Sequence, residues 1–108
     1  MDDRGDRAQA DGTDGARRVR AREGLVERNV GGKTFVLTPN SHLHVLDNPS
    51  ASHLWIAIRD AGEVGVDLGS LVESLVKGFQ VDHGQARKDV SGFLDHLVNE
   101  EVIEEMTG

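Results

Sequence analysis

Residues 25–47 fall into short runs that either are rich in β-branched residues or alternate between side chains of different kinds, a pattern typical of β-strands. Three such runs, LVERNV, KTFVL and HLHVLD, are separated by Gly31-Gly32 and by Pro39-Asn40-Ser41. A Gly-Gly pair between two runs is typical of a two-residue hairpin turn, and the Pro-Asn-Ser stretch is typical of a second turn. The pattern therefore predicts an antiparallel meander of three strands, over residues 25–30, 33–37 and 42–47.

After residue 47 the apolar positions recur every three to four residues, which is the period of a helix. Asn48 can accept a hydrogen bond from free N–H groups and Pro49 suits the first helical position, so we expect a helix over residues 48–60. Its apolar stripe consists of Ala51, Leu54, Trp55 and Ile58. Trp55 is the only tryptophan, and we expect it to fill a small core because a large aromatic side chain buries much area.

Two further helices are predicted downstream. Asp67 can cap the N-terminus of the earlier of the two, which ends near Gly78. The later one begins with Asp82 and Gln85, which form a D-x-x-Q variant of the capping box. The inward faces are predicted to be Leu68, Leu71, Val72, Leu75, Val76 and Phe79 in the first, and Ala86, Val90, Phe93, Leu94, Leu97 and Val98 in the second. The loop DAGEVGV holds one short extended piece, and a short polar tail with Val102 and Ile103 closes the chain.

This order of elements defines the expected fold class. It is α+β, with a three-stranded antiparallel β-meander followed by three α-helices, and the last two helices give it a winged helix-turn-helix-like pattern. At 108 residues the chain forms one small domain.

Residues 1–24 differ in composition from the rest. They contain no large apolar residue between Met1 and Val19, so they cannot offset their ordering entropy by burial. We therefore expect a disordered N-terminal tail over 1–24, ahead of a domain over 25–104, and little change in thermal stability when the tail is deleted. The six acidic and six basic side chains of the tail cancel, so the remaining residues carry all of the formal net charge of −7.

The composition narrows the classes of function. There is no cysteine, which excludes a disulfide framework and thiolate sites and favours a reducing compartment. There is no run of about 18 apolar residues and no apolar core of a signal peptide. We expect a cytoplasmic protein that does not contact a membrane.

Motifs of enzymes do not occur in the chain. We find no H-E-x-x-H, Walker loop, nucleophile elbow or G-x-G-x-x-G. His42 and His44 share one face of a strand, but a third metal ligand would have to come from elsewhere. The expectation is a protein without catalytic residues, metal or cofactor.

The helix-turn-helix pattern raises the hypothesis of DNA binding. The last helix offers only Arg87 and Lys88 to phosphate groups, opposed by the acidic residues Asp82, Asp89, Asp95, Glu100 and Glu101. A region with a net charge of −7 repels a duplex, so no nucleic-acid partner is expected.

Four motifs occur in a characteristic order along the chain. They are Leu46-Asp47 before the first helix, Leu54-Trp55 within it, Val81-Asp82 at the start of the last helix, and the stretch DVSGFLDHL that begins at Asp89. Taken together, these motifs resemble the PqqD family, whose domain is also called the RiPP precursor peptide recognition element. The resemblance covers about residues 25–104 and departs from the family pattern at Glu101, where a glycine is usual.

The resemblance implies a peptide-binding site. In the family, a peptide adds beside the third strand and lies in a groove against the last helix, and an unpaired edge strand is suited to such addition. On this chain the implied strand residues are His42, Leu43, His44, Val45 and Leu46, and the implied helix residues are Arg87, Ser91, Leu94, Asp95 and Val98. Plain core packing is the alternative for Leu94 and Val98.

The implied function is that of a non-catalytic adaptor in peptide natural-product biosynthesis. It would capture the leader segment of a precursor peptide and present it to a modifying enzyme, commonly a radical SAM enzyme in this family. Two alternatives stay open: a PqqD-like interaction module in another complex, and an acidic winged-helix DNA-binding regulator. The sequence also leaves open the client peptide, the partner enzyme, and pairing of two copies as a homodimer.

Overall fold

The computed structural model describes residues 17–106, which fold into two small sheets and three helices. A 3₁₀ turn, Gly62–Val64, precedes the short strand Val66–Asp67. In chain order the elements are β1 (Arg18–Ala21), β2 (Val26–Val30), β3 (Lys33–Leu37), β4 (Leu43–Leu46), α1 (Pro49–Ala61), β5 (Val66–Asp67), α2 (Leu68–Phe79), α3 (His83–Asn99) and β6 (Ile103–Met106).

The predicted meander is present as a sheet with the order β2-β3-β4. Its hairpin pairs Val30 with Lys33 across Gly31-Gly32, both of which have positive φ angles that glycine adopts without strain. Strands β3 and β4 continue the antiparallel pairing, with Thr34 opposite Leu46. The predicted strand order and the α+β fold class are therefore confirmed.

All three predicted helix starts are confirmed by cap hydrogen bonds. In each case the side-chain oxygen of the N-cap residue accepts a hydrogen bond from the backbone N–H three residues later. The distances are 2.8 Å for Asn48 and Ala51, 2.8 Å for Asp67 and Ser70, and 3.0 Å for Asp82 and Gln85. The second half of the expected capping box does not form, because the Gln85 side chain donates to Asp89 instead.

The core lies between the three helices, the inner face of the meander and a second sheet formed by β1, β5 and β6. Trp55 has 1% of its surface exposed and is surrounded by aliphatic side chains from α1, α2 and α3, with Val36 and Leu46 from the meander. Its indole N–H donates to the Glu27 carboxylate at 3.2 Å. The expected structural role of Trp55 is confirmed. Phe79, predicted to face inward, is partly exposed and packs edge-on against His53.

A second sheet, with the order β5-β1-β6, corrects the expected N-terminal boundary. Strand β1 lies within the segment expected to be a disordered tail, yet Val19 is fully buried. The backbone of β1 pairs with β5 and β6 on either side, and the Arg20 guanidinium binds Glu104 of β6 at 2.6 Å. Backbone hydrogen bonds and ion pairs thus hold β1 in place, although Val19 is its only fully buried side chain. Residues 1–16 of the expected tail lie outside the described residues.

Strand β6 replaces the polar tail expected at the other end of the chain. Val102 and Ile103 are buried, and Ile103 pairs with Ala21 of β1. No helix within residues 17–106 is long and apolar enough to cross a bilayer.

The buried position of Val19 leads to a prediction about stability. Val19→Ala removes two buried methyl groups from the centre of the second sheet, so we expect the free energy of unfolding to fall by about 2 kcal/mol. Val30→Ala, at an exposed position of β2, is the matched control and is expected to change it by less than about 0.5 kcal/mol. Urea denaturation of both variants measures the difference. Equal effects would contradict the placement of β1.

The end of α3 leads to a second prediction. Glu101 has a φ of 64°, its N–H bonds to the Val98 carbonyl at 3.1 Å, and the Val102 N–H bonds to Leu97 at 2.9 Å. This is a Schellman motif, in which the left-handed residue is usually glycine.

Glu101→Gly is therefore expected to stabilise the chain by about 1 kcal/mol, because glycine adopts this conformation without a Cβ clash. Glu100→Gly is the matched control, since Glu100 has a φ of −91°, so that glycine there relieves no strain and adds flexibility to the unfolded chain. Thermal denaturation should show a higher Tm for the first variant and a lower one for the second. A lower Tm for Glu101→Gly would show that its contact with Asn40, at 3.3 Å, outweighs the backbone strain.

Candidate functional site

Strand β4 is an edge strand of the meander. It pairs with β3 on one side, and no other strand among residues 17–106 pairs with its second side. The Thr38 N–H donates to the His42 carbonyl at 2.9 Å, which makes these two residues a hydrogen-bonded pair. Bonded and non-bonded pairs alternate along an antiparallel ladder, so the backbone groups of His44 and Leu46 face β3. The N–H and C=O groups of Leu43 and Val45 therefore face the open side.

The side chains of β4 alternate as predicted between two faces of the sheet. Leu43 and Val45 point outward, with 59% and 45% of their surface exposed, whereas Leu46 is buried and His44 half-buried. His42 is exposed in the turn before the strand. A strand added beside β4 would meet Leu43 and Val45 on one face of the sheet and His44 on the other.

His44 lies at the boundary between β4 and the last turn of α3. Its Nε2 atom is enclosed and has no hydrogen-bond partner among the described residues, although the residue keeps part of its surface in water. Burial lowers the pKa of His44, while the nearby Glu100 carboxylate opposes that shift and the His96 ring adds to it. Burial therefore favours the neutral form of this imidazole, and its Nε2 atom is enclosed by the chain itself.

Asp95 marks the flank of α3 that is turned away from β4. Its carboxylate lies 2.8 Å from the Arg17 guanidinium, which also binds Glu105 of β6 at 2.6 Å. These two carboxylates, Glu105 most strongly, raise the pKa of Arg17. Asp95 therefore belongs to the side of α3 that meets the second sheet.

The opposite flank of α3 faces the meander. His96 and Glu100 lie one turn apart on it, and both act electrostatically on His44. Phe93 is half-buried and precedes His96 by three residues, which places it on the same flank. The edge of β4 and this flank of α3 define the candidate groove, with His44 on the strand side and His96 and Glu100 on the helix side. Phe93 lies on the same flank and also packs against the core.

The helix residues implied by the family resemblance are distributed differently. Leu94 is 0% exposed and packs in the core, so the core-packing alternative applies to it, and Val98 is half-buried against the core. Arg87 and Ser91 lie on the same flank as Asp95, because positions 87, 91 and 95 are spaced four residues apart along the helix. The structure does not bring this set to the β4 edge.

Sequence reasoning missed Phe93, His96 and Glu100. The inward row of α3, formed by Val90, Leu94 and Leu97, has a flank on each side, and periodicity alone does not tell which flank meets the strand. The sequence did offer one signal. Positions 89, 93, 96 and 100 follow helical spacing, which places them together on the flank of α3 opposite Asp95.

The turn between β3 and β4 is joined to the end of α3. The Asn40 side-chain amide donates to the Glu101 carboxylate at 3.3 Å, and the Thr38 hydroxyl donates to the Asn40 side-chain oxygen. This contact fixes the start of β4 relative to the helix.

A polar cleft of about 730 Å³ lies beside this turn, between the end of β1 and the start of β6. The cleft is lined by charged side chains that pair with one another, including Arg20 with Glu104. Within residues 17–106, no three His, Asp or Glu side chains are grouped closely enough to hold a metal ion.

Comparison with known proteins agrees with this architecture. A family model described as coenzyme PQQ synthesis protein D (PqqD) matches residues 34–103, from β3 to the start of β6. The solved structure of TbiB1 in complex with the TbiA(beta) leader peptide is similar in fold, with a TM-score of 0.70 and 18% sequence identity over 82% of this chain and 99% of that chain. A search of curated proteins finds no match. With the family model covering more than half of its length, the chain belongs to the PqqD family.

Proposed function

We propose that this chain is a non-catalytic adaptor that captures the leader segment of a precursor peptide and presents it to a modifying enzyme, such as a radical SAM maturase. The observation that carries the proposal is the open edge of β4, where the N–H and C=O groups of Leu43 and Val45 have no partner strand within residues 17–106. Membership of the PqqD family supports it, as does the likeness to TbiB1, whose structure contains a leader peptide.

A peptide added beside β4 gains affinity from its main chain. Its N–H and C=O groups bond to Leu43 and Val45, which replaces the water that otherwise satisfies this edge. Such bonds are independent of peptide sequence, so they hold any extended segment. Recognition of one client therefore depends on the side chains.

The side chains of the added strand alternate between two environments. Every second side chain lies beside Leu43 and Val45 on the outward face, and those between enter the groove lined by His44, Phe93 and His96. The Glu100 carboxylate, in a chain of net charge −7, favours a basic residue at that end of the groove.

The first alternative, a PqqD-like module that binds a protein segment in another complex, uses the same edge. The genes beside this one separate the two: a short open reading frame with a radical SAM or other maturase gene supports the adaptor. The second alternative, a DNA-binding regulator, is disfavoured by the charge of α3, where Arg87 and Lys88 stand among acidic side chains. We place the adaptor in the cytoplasm, in keeping with a chain that has no cysteine.

Strand addition is tested by removing one donor from the open edge. Val45→Pro deletes an N–H that faces away from β3, so the ladder of the meander stays intact, while binding is expected to weaken by at least about tenfold. Val45→Ala is the matched control, because it shortens the same side chain and keeps the N–H.

The probe for this test is a fluorescent synthetic leader segment from a short open reading frame beside the gene, or a peptide selected on the chain from a random library. Fluorescence anisotropy gives the Kd, and circular dichroism checks the fold. Equal Kd values for Val45→Pro and Val45→Ala would rule out strand addition at this edge.

The assignment of the helix flank is tested with the same probe. Phe93→Ala removes apolar surface from the groove and is expected to weaken binding about tenfold. Arg87→Ala, on the other flank and exposed, is expected to leave the Kd within about twofold. If Arg87→Ala is the more damaging variant while both keep the fold, the peptide lies on the Asp95 flank instead.

A further inference from the structure

The meander carries an apolar surface that the groove beside α3 does not use. Every second residue of its three strands points to the side of the sheet that is turned away from the core. Across this side, Val26, Leu37 and Leu43 lie in one row, and Phe35 and Val45 are neighbours in the next. We name this surface the outward face; its apolar members are Val26, Val30, Phe35, Leu37, Leu43 and Val45.

The exposure of this face is unusual for an antiparallel sheet. A sheet with one side on the core normally presents polar residues on the other side. Here five of the apolar side chains are classed as exposed and Phe35 is half-buried. A contiguous apolar patch of this kind on a small domain marks a surface that contacts another molecule.

The charged side chains that β2, β3 and β4 themselves place on the outward face are all basic. Within the strands they belong to Arg28 and Lys33, both exposed and without an ion pair to any residue between 17 and 106. The acidic residue of β2, Glu27, points to the opposite side, where it binds Trp55 and Arg59. A basic, apolar patch on a chain of net charge −7 complements an apolar surface bordered by carboxylates.

A second copy of this chain does not fit that description. Two outward faces packed together would bring Arg28 and Lys33 of both copies, four basic side chains, into one contact. The net charge of −7 on each copy adds repulsion. The segment 1–16 has no large apolar residue other than Met1 and so offers nothing suited to cover this face.

We infer that the outward face is the docking surface for the modifying enzyme, which would contribute an apolar surface bordered by Asp or Glu side chains. The identity of this partner rests on the proposed function. Leu43 and Val45 belong both to the outward face and to the open edge, so an enzyme on this face lies directly beside the added peptide strand. Docking and presentation then use adjacent surfaces of one sheet.

The first test locates the partner by photo-crosslinking of the full chain in its native host. The photoreactive residue p-benzoylphenylalanine replaces Leu37 on the outward face, or Ile56 on α1 as the control, since the two are 39% and 42% exposed. We expect a crosslink to the modifying enzyme at position 37 and none at position 56. The crosslinked enzyme segment should contain apolar residues flanked by Asp or Glu. A crosslink between two copies of this chain, or equal crosslinking at both positions, would overturn the assignment.

The second test measures binding between the purified full chain and that enzyme. Leu37→Glu and the double variant Arg28→Glu with Lys33→Glu are each expected to raise the Kd by at least about tenfold, while Ile56→Glu leaves it within about twofold. All three should bind the synthetic leader segment as the unchanged chain does. Unaltered enzyme binding by both face variants would refute the docking surface while peptide capture stands. Absence of peptide binding, with enzyme binding still weakened by the face variants, would refute the adaptor function and keep the docking surface.

Discussion

The position of the meander against the helices depends on the contact between Trp55 and Glu27. Trp55 fills the core from α1, and its indole N–H bonds to a carboxylate on the inner side of β2. Arg59, one helical turn later, binds the second oxygen of that carboxylate at 2.7 Å. A polar group on a buried aromatic side chain needs a hydrogen-bond partner, and the bond from Trp55 to Glu27 therefore connects α1 to β2. The burial of Val36 and Leu46 completes this attachment.

Both proposed surfaces follow from fixing one side of this sheet on the core. Because successive strand residues point to opposite sides, burying Val36 and Leu46 forces Leu37, Leu43 and Val45 outward. The same register points the free backbone groups of β4 away from β3. The contact between Asn40 and Glu101 then holds the start of β4 at the end of α3, where the groove is formed. One packing arrangement thus produces an edge for a peptide and a face for a protein.

Local signals in the sequence were sufficient for the meander, the three helix starts and the burial of Trp55. Each depends on residues close together in the chain, as at Asn48 or Gly31-Gly32. Strand β1 was missed because its partner is far away in sequence, with Arg18 opposite Met106, and because it is held by backbone bonds and ion pairs rather than by an apolar run. The position of Asp95 on the flank of α3 away from β4 could not be predicted, because it is set by a contact with Arg17 that no periodicity reveals.

Hydrogen exchange of four backbone amides tests strand addition most directly. In the free chain the amides of His44 and Leu46 face β3 and should exchange slowly, whereas those of Leu43 and Val45 face water and should exchange fast. When the synthetic leader segment saturates the chain, NMR should show Leu43 and Val45 becoming protected and His44 and Leu46 unchanged. If Leu43 and Val45 still exchange fast in the saturated complex, the peptide does not extend the sheet at β4, and the proposed mode of capture is wrong.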